Sequence, residues 1–316
     1  MTRIDRVSAG LDARLVRYAD LIPCTTAFID ARTPGSERKE NFTIIGPGVA
    51  ENPDQHVHIS EAHGFNIGGA RQPPGCVNSQ HSHETEEVFV VHSGTWAFRS
   101  GENGEDGEVT IRRGDVISIP THAFRGFENV GDDLGFLFAV LGGDDPGRVT
   151  WAPYVFDSAR AHGLVLLESG RLIDTAAGER LPDDAAPMPE TGPEDVARME
   201  VLNDEAMRGC VARFDDFCAD DSTRIISRSP TSEPGLLGWA HGFELRYLAC
   251  RPSATAWSAS ADTPTVLMML GGAADVLVGG DPLRLAEGDV FTIPPGAPYE
   301  IAGAADTGGD CYLVCG

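Results

Sequence analysis

The feature that most constrains the fold of this chain is a succession of short apolar runs, each closed by turn residues. From residue 87 onward the sequence contains EVFVVHSG, TWAFRSG, GEVTIRRGDVISIP, FRGFENVG and LGFLFAVLGG. Val, Ile and Phe favour strands, and the Gly- and Asp-rich segments SGENGEDG and GGDDPG favour hairpin turns. The whole chain has 37 glycines and 21 prolines in 316 residues. The sequence therefore predicts an all-β protein.

The strand pattern occurs a second time near the C-terminus. Residues 287–303, EGDVFTIPPGAPYEIAG, parallel residues 113–129, RGDVISIPTHAFRGFEN. Upstream, VLMMLGG at 266–272 parallels VFVVHSG at 88–94. Two aligned turns of the form G-x5-P indicate a duplicated scaffold, so we expect two β-domains of one design.

A second feature, in the first copy, concerns chemistry. His81, His83 and Glu87 stand in the order H-x-H-x3-E, at positions that all have odd numbers. Because side chains alternate between two faces along a strand, an extended segment points these three to one side and His92 to the other. Two imidazoles and a carboxylate on one side form a facial triad for a divalent metal, with coordination positions left open. The structural alternative is an ordinary polar strand face.

This window resembles the first signature of the cupin superfamily, G-x5-H-x-H-x3-E-x6-G. Gly75, His81, His83, Glu87 and Gly94 match it without a gap. The resemblance implies a small antiparallel barrel, the double-stranded β-helix or jelly roll, with a metal inside. Together with the duplication it implies two cupin barrels in one chain, a bicupin. The layout is similar to gentisate-type ring-cleaving dioxygenases, quercetinases and oxalate decarboxylases.

Four segments are predicted along the chain. Residues 1–50 form an N-terminal arm with a short helix at 12–20, and residues 51–150 form the metal-binding barrel. Residues 151–229 form a linker with helices at 153–161 and 193–208, and residues 230–316 form a degenerate second barrel. The repeat places three non-ligands opposite the triad, so this barrel is predicted to hold no metal; they are Ala259, Ala261 and Thr265.

The second cupin signature, G-x5-P-x-G-x2-H-x3-N, is altered here. Gly114, Pro120 and Asn129 match, but His122 replaces a glycine and Arg125 stands where the family has a fourth metal ligand, a histidine. Arginine stays protonated and offers no lone pair, so it cannot act as that ligand. Three hypotheses stay open: Arg125 binds an anionic substrate group beside a three-ligand site, His122 supplies the fourth nitrogen, or the site has decayed and Arg125 only pairs with the glutamate of the triad.

Further candidates for the pocket precede the first signature, in a segment with strand character. Because neighbouring barrel strands share one interior, His63, Asn66 and Arg71 are predicted to line the substrate pocket. Arg71 and Arg125 are the cations expected near the metal. Three aromatic residues are candidates either for an apolar pocket wall or for ordinary core: Phe89, Phe124 and Phe127.

Composition narrows the class of partner. The formal net charge of −24 makes nucleic acid and anionic membranes poor partners. No apolar run approaches the roughly 20 residues of a transmembrane helix. The N-terminus, MTRIDRVSAGLDARL, lacks the apolar core of a signal peptide. We therefore expect a cytoplasmic homo-oligomer, a dimer in its simplest form, that acts on a small-molecule substrate.

These features favour a metal-dependent oxidoreductase of the dioxygenase type. Such an Fe(II) centre needs a facial set of protein ligands and free positions for substrate and O2. We expect one divalent metal per chain, Fe(II) first and Mn, Ni or Zn as alternatives. The expected substrate is a small enol, phenolic or carboxylate-bearing molecule whose developing anion Arg125 neutralises. Two alternatives stay open: a non-redox isomerase or lyase, and a barrel that binds a small molecule without catalysis.

Overall fold

Strands dominate the described part of the chain, which confirms the predicted all-β class. The structure, a computed structural model, describes residues 10–218, 223–228, 235–252, 255–260 and 262–316. In chain order its strands are β1 (Leu15–Val16), β2 (Glu40–Ile45), β3 (Val57–Ile59), β4 (Phe65–Gln72), β5 (Val77–His83), β6 (Glu87–Ser93), β7 (Thr95–Ser100), β8 (Gly107–Arg112), β9 (Val116–Ser118), β10 (Arg125–Asn129), β11 (Gly135–Gly142), β12 (Val149–Trp151), β13 (Leu164–Leu166), β14 (Leu172–Asp174), β15 (Val211–Ala212), β16 (Arg224–Ser227), β17 (Glu244–Cys250), β18 (Trp257–Ser260), β19 (Thr265–Val278), β20 (Asp281–Ala286), β21 (Val290–Ile293), β22 (Pro298–Gly303) and β23 (Gly309–Cys315). Its helices include α1 (Pro153–Ala161), α2 (Pro193–Val196), α3 (Asp204–Gly209), α4 (Phe214–Phe217) and a 3-10 helix (Tyr18–Asp20).

The described residues form two compact units. The first, called the site unit below, contains residues 22–57 and 66–211. The second, called the C-terminal unit, contains the described parts of residues 1–21, 58–65 and 212–316. These bounds differ from the four predicted segments. Residues 22–50, expected in an irregular arm, belong to the site unit, where β2 pairs with β4. Residues 151–211 of the expected linker belong to it as well.

Two antiparallel sheets build the site unit. One has the strand order β12-β5-β10-β7-β8, and the other contains β9-β6-β11-β4-β2. The sheets pack through aromatic side chains: Phe89 of β6 lies 5.2 Å from Phe98 and 5.3 Å from Phe127 of the other sheet, between ring centroids. This two-layer arrangement is the expected jelly roll.

The C-terminal unit repeats the all-antiparallel design. Its main path runs β1-β21-β19-β23-β17-β16, and β18, β20 and β22 join through the long strand β19 and its neighbours. Apolar side chains fill its core. They include Leu267, Phe291, Tyr299, Ile301 and Leu313, each at most 3% exposed.

The predicted duplication is visible in the hydrogen bonds of one turn. In the site unit, the amide of Gly114 donates to the carbonyl of Val91 at 2.8 Å. In the C-terminal unit, the amide of Gly288 donates to the carbonyl of Met269 at 2.9 Å. Both glycines have positive φ, 83° and 80°, which a glycine adopts without steric cost. The same sequence pattern therefore produces the same turn twice.

The strand register agrees with the alignment of the two copies. Arg125 pairs with His81 across β10 and β5, and Tyr299 pairs with Ala259 across β22 and β18. Tyr299 is buried among apolar side chains, with its ring centroid 5.5 Å from that of Trp257. Ala261, the expected counterpart of His83, lies outside the described residues.

The helical predictions are met in part. α1 spans the predicted residues 153–161 and begins with Pro153, which suits the first helical position. The helix predicted at 193–208 is two short helices, because the Asn203 side chain caps a new start by accepting from the amide of Ala206 at 3.0 Å. No single helix spans the predicted residues 12–20, because β1 pairs there with β21; residues 18–20 alone form a 3-10 helix. Among the described helices, none has the length and apolar character needed to span a membrane.

Candidate metal centre

The three predicted metal ligands lie together where β5 ends and β6 begins. His81 and His83 belong to the end of β5, and Glu87 is the first residue of β6. All three side chains are buried. One ligand atom from each lies within 4.8 Å of those of the other two, and across the described residues this is the one such group of His, Cys, Asp and Glu.

Glu87 reaches the histidines by a route that the parity argument did not anticipate. That argument assumed one extended segment, but residues 84–86 form a bend between β5 and β6. The two strands belong to different sheets. The carboxylate therefore approaches the imidazoles from the facing sheet, which places donors on two sides of one point.

Hydrogen bonds orient the first histidine. Nδ1 of His81 lies 2.8 Å from the carbonyl oxygen of Ser79, which can only accept, and 3.3 Å from Nδ2 of Asn78; the shorter contact favours a ring proton on Nδ1. This leaves the lone pair on Nε2, and a backbone carbonyl is a common outer partner of a metal-bound histidine. Nε2 of His83 lies 3.3 Å from Oε2 of Glu87, and the buried Nδ1 of His83 has no hydrogen-bond partner.

Burial and charge set protonation states that suit metal binding. Burial lowers the pKa of His81 well below its usual value and also lowers that of His83, so both imidazoles are neutral near pH 7. Burial by itself would raise the pKa of Glu87. The positive charges of Arg125 and of His83, when that ring is protonated, outweigh the effect of burial and lower the pKa to about 2. The group thus offers two neutral nitrogen donors and one carboxylate.

Arg125 lies beside the triad and is 1% exposed. Its Nη2 donates to Oε2 of Glu87 at 3.0 Å, whereas its buried Nε and Nη1 have no partner. Arg125 is not among the residues that line the adjacent pocket. The structure therefore contains the ion pair with Glu87, and binding of an anionic substrate group remains a prediction that would use the two unpartnered donors.

His122 is not brought to the triad. Its side chain is exposed, and its backbone has a φ of 63°, the left-handed conformation in which the cupin signature has glycine. Its carbonyl accepts a hydrogen bond from the amide of Glu200 at 2.7 Å. His122 therefore occupies a turn position, away from the buried group of ligands.

The three predicted lining residues also lie elsewhere. His63 belongs to the C-terminal unit, where Nε2 lies 3.3 Å from the hydroxyl of Thr292. Asn66 accepts from the amide of Gly48 and donates to the carbonyl of Gly143, so it ties two loops together. Arg71 donates to Glu40 at 2.6 Å and does not line the pocket. Polar residue type alone could not separate these roles.

An apolar pocket adjoins the triad, and all three ligands form part of its wall. Of the three aromatic residues that could form either a pocket wall or ordinary core, Phe89 and Phe127 line the pocket. Phe124 packs in the core against α1. Further apolar lining comes from residues that the sequence had not singled out: Phe28, Phe42, Val49, Leu141, Val149 and Trp151. Trp151 pairs with His81 across β12 and β5, and their ring centroids are 5.4 Å apart.

The residues present fit a divalent metal. Two neutral imidazole nitrogens and a carboxylate, gathered around one point in the wall of a pocket, are the donor set of a facial triad. The buried Nδ1 of His83 has no hydrogen-bond partner within the protein. A metal held by the three side chains would orient His83.

Comparison with known proteins agrees with this fold. Residues 70–141 match the family described as Cupin domain. Oxalate decarboxylase from Lactobacillus farciminis is similar over 95% of this chain and 85% of its own, at 12% identity and a TM-score of 0.57. Salicylate 1,2-dioxygenase from Pseudaminobacter salicylatoxidans is similar over 95% and 82%, at 15% identity and 0.53. Vicilin from Corylus avellana is similar over 96% and 84%, at 12% identity and 0.51. No curated protein sequence matches the chain.

These similarities show the fold. Identities of 12–15% show a shared fold, which the three proteins use for different purposes. The Cupin domain match contains the triad and both of its strands. Residues 70–141 therefore match a Cupin domain, and over the rest of the chain the similarity to the three solved structures is one of fold.

Proposed function

We propose that this chain is a bicupin and a metal-dependent enzyme, specifically an Fe(II) oxidoreductase of the dioxygenase type. The observation that carries the proposal is the buried group of His81, His83 and Glu87 in the wall of an apolar pocket. Bound there, the metal would supply Lewis-acid and redox chemistry to a substrate and O2 at its open coordination positions. Mn, Ni and Zn suit the same donors and are the alternatives.

The pocket wall supports a small, flat and largely apolar substrate. Phe42, Phe89, Phe127 and Trp151 give the pocket an apolar wall with ring faces for stacking. Hydrogen-bonding side chains interrupt this wall at a few places, which suits one or two oxygen substituents. A small enol or phenol, with or without a carboxylate, has this combination.

Arg125 is proposed to stabilise negative charge on the substrate. Its guanidinium is buried beside Glu87, and two of its nitrogens have no partner in the protein. A fixed cation in a water-poor site is effective because little reorganisation is needed when charge develops on the substrate.

Oxygen uptake tests the proposal. Protein reconstituted with Fe(II) under anaerobic conditions is supplied with gentisate, salicylate, catechol and quercetin, and O2 consumption is followed with an electrode. We expect substrate-dependent uptake that is lost in H81A and retained in H92A, because His92 packs against Phe136 and Phe138 on the other face of β6. Turnover of a substrate without O2 uptake would instead identify an isomerase or lyase.

A metal-free binding barrel is the second candidate, favoured by one observation. The guanidinium of Arg125 pairs with Glu87 at 3.0 Å, so the charge of the carboxylate has a partner within the protein. Measurement of bound metal after purification in the presence of Fe(II), Mn(II) or Zn(II) distinguishes the two. Protein that retains none of these ions yet binds an aromatic ligand would support the binding role and contradict the enzyme.

A further inference from the structure

A buried ion pair contacts β5, the strand that contains His81 and His83. The side chains of Lys39 and Asp30 are both 0% exposed, and Nζ of Lys39 donates to Oδ1 of Asp30. Nζ also donates to Oδ1 of Asn78 at 3.0 Å, and it lies 5.4 Å from the ring centroid of Phe28. Removing two charges from water costs about as much as their attraction returns, so stability alone does not account for the pair.

The two members of the pair hold Asn78 and Ser79, which lie three and two residues before His81 in the strand. Lys39 binds the side chain of Asn78, and Oδ2 of Asp30 accepts from the amide of Ser79 at 3.0 Å. The carbonyl of Ser79 in turn accepts from Nδ1 of His81 at 2.8 Å. A continuous series of hydrogen bonds therefore connects the ion pair to the imidazole.

The held segment is a β-bulge. Across β5 and β10, His81 pairs with Arg125 and Asn78 pairs with Phe127, so three steps on β5 oppose two on β10. The bulge turns both Asn78 and His81 toward the pocket, although they are an odd number of residues apart. The amides inside it donate to side chains, that of Ser79 to Asp30 and that of residue 80 to the hydroxyl of Tyr154 at 3.2 Å.

We propose that Asp30 and Lys39 are positioning residues of the metal centre. They fix the bulge so that the Ser79 carbonyl keeps the proton of His81 on Nδ1 and presents Nε2 to the metal. This inference rests on the proposed metal-dependent function. Outer partners of this kind change metal affinity by roughly 10- to 100-fold when they are removed.

The first test replaces both charges at once. D30L/K39M leaves no uncompensated buried charge, so the variant is expected to fold. Titration with Co(II), followed by its visible absorption, should give one site per chain with a dissociation constant raised 10- to 100-fold over the wild type. The control is R32M, which breaks the ion pair of Arg32 with Asp174 in the same unit and should leave Co(II) affinity unchanged. A folded D30L/K39M variant with wild-type Co(II) affinity overturns the proposal.

A second measurement needs no metal. In the 15N-labelled, metal-free protein, the ring nitrogens of His81, assigned by their loss in H81N, should report an Nδ1-protonated tautomer. The double variant should shift toward a mixture of tautomers, whereas R32M should not. Identical His81 signals in the wild type and the double variant overturn the positioning role. If the wild type binds no Co(II) but the tautomer still shifts, the proposed function fails and the positioning role stands.

Discussion

Arg125 combines three properties: it is buried, it is paired with the carboxylate of Glu87, and two of its donors have no partner. R125K keeps the charge but loses the planar fork. If Arg125 binds a substrate anion, kcat/KM should fall about tenfold or more, the equivalent of one charged hydrogen bond, while bound metal stays the same. Steady-state kinetics and metal analysis on the same preparation measure both quantities.

R71K is the matched control for that substitution. Arg71 pairs with Glu40 outside the pocket, so its replacement should leave kcat/KM unchanged. Unchanged kinetics in R125K would restrict Arg125 to holding Glu87 and would contradict its role toward substrate.

The free energy of unfolding is expected to depend on pH through Glu51. Burial raises its pKa to about 8, although Trp151 and the amide of Ile29 each donate to the carboxylate at 2.7 Å. Below the unfolded pKa of 4.5 both states hold the proton, and between 4.5 and about 8 only the folded state does. Stability from this group is therefore lost as pH rises through that window, by up to roughly 1.4 kcal/mol per pH unit.

Urea unfolding at pH 5, 6, 7 and 8 measures this dependence. In E51Q the position no longer titrates, so the slope of unfolding free energy against pH should become shallower than in the wild type. E168Q, at an exposed position, should keep the wild-type slope. Equal slopes in E51Q and the wild type would show that Glu51 is ionised in the folded protein.

At the scale of elements, the turn between β6 and β7 requires a glycine for two reasons. Gly94 has a φ of 87°, and a Cβ added to it would lie 2.8 Å from the Cα of Gly135. Gly170, in the turn between β13 and β14, has a φ of 83° but open space around it. G170A should cost roughly 1 kcal/mol for the left-handed backbone. G94A should cost roughly 1–3 kcal/mol more because the neighbouring strand must move.

Chemical denaturation of G94A and G170A separates the two contributions. Equal losses of unfolding free energy would mean that the close approach of Gly135 is relieved without cost, and would contradict the steric argument.

The strand β5 shows why element periodicity predicted only part of the site. The alternation of side chains along a strand correctly separates His92 of β6 from the triad, and the ring of His92 packs against Phe136 and Phe138. The same rule fails for Asn78, which reaches the pocket because a bulge adds one residue before His81. No residue type in this segment marks the bulge, since it is stabilised by Asp30, far away in sequence.

For the whole molecule, the unequal barrels predict one metal per chain. The site unit has its triad, whereas in the C-terminal unit Tyr299 and Ala259 pair at the position of Arg125 and His81, and Thr265 is buried where β19 begins. Elemental analysis of protein loaded with Fe(II) should give about one equivalent in the wild type and H92A, and close to none in H81A. Two equivalents in the wild type would contradict the expectation that the second barrel lacks a metal.

By itself, the sequence determined the fold class, the duplication and the triad. Strand periodicity and positive-φ glycines act over a few residues, and the H-x-H-x3-E spacing keeps its donors close whatever surrounds them. Only the tertiary structure decided which distant side chains join them. His63 belongs to the C-terminal unit, and Asn66, Arg71 and His122 do not line the pocket, whereas Trp151 does and Lys39 binds Asn78 in its wall. The reason is physical: strand register, bulges and buried ion pairs depend on partners that are remote along the chain, and the local sequence pattern does not specify those partners.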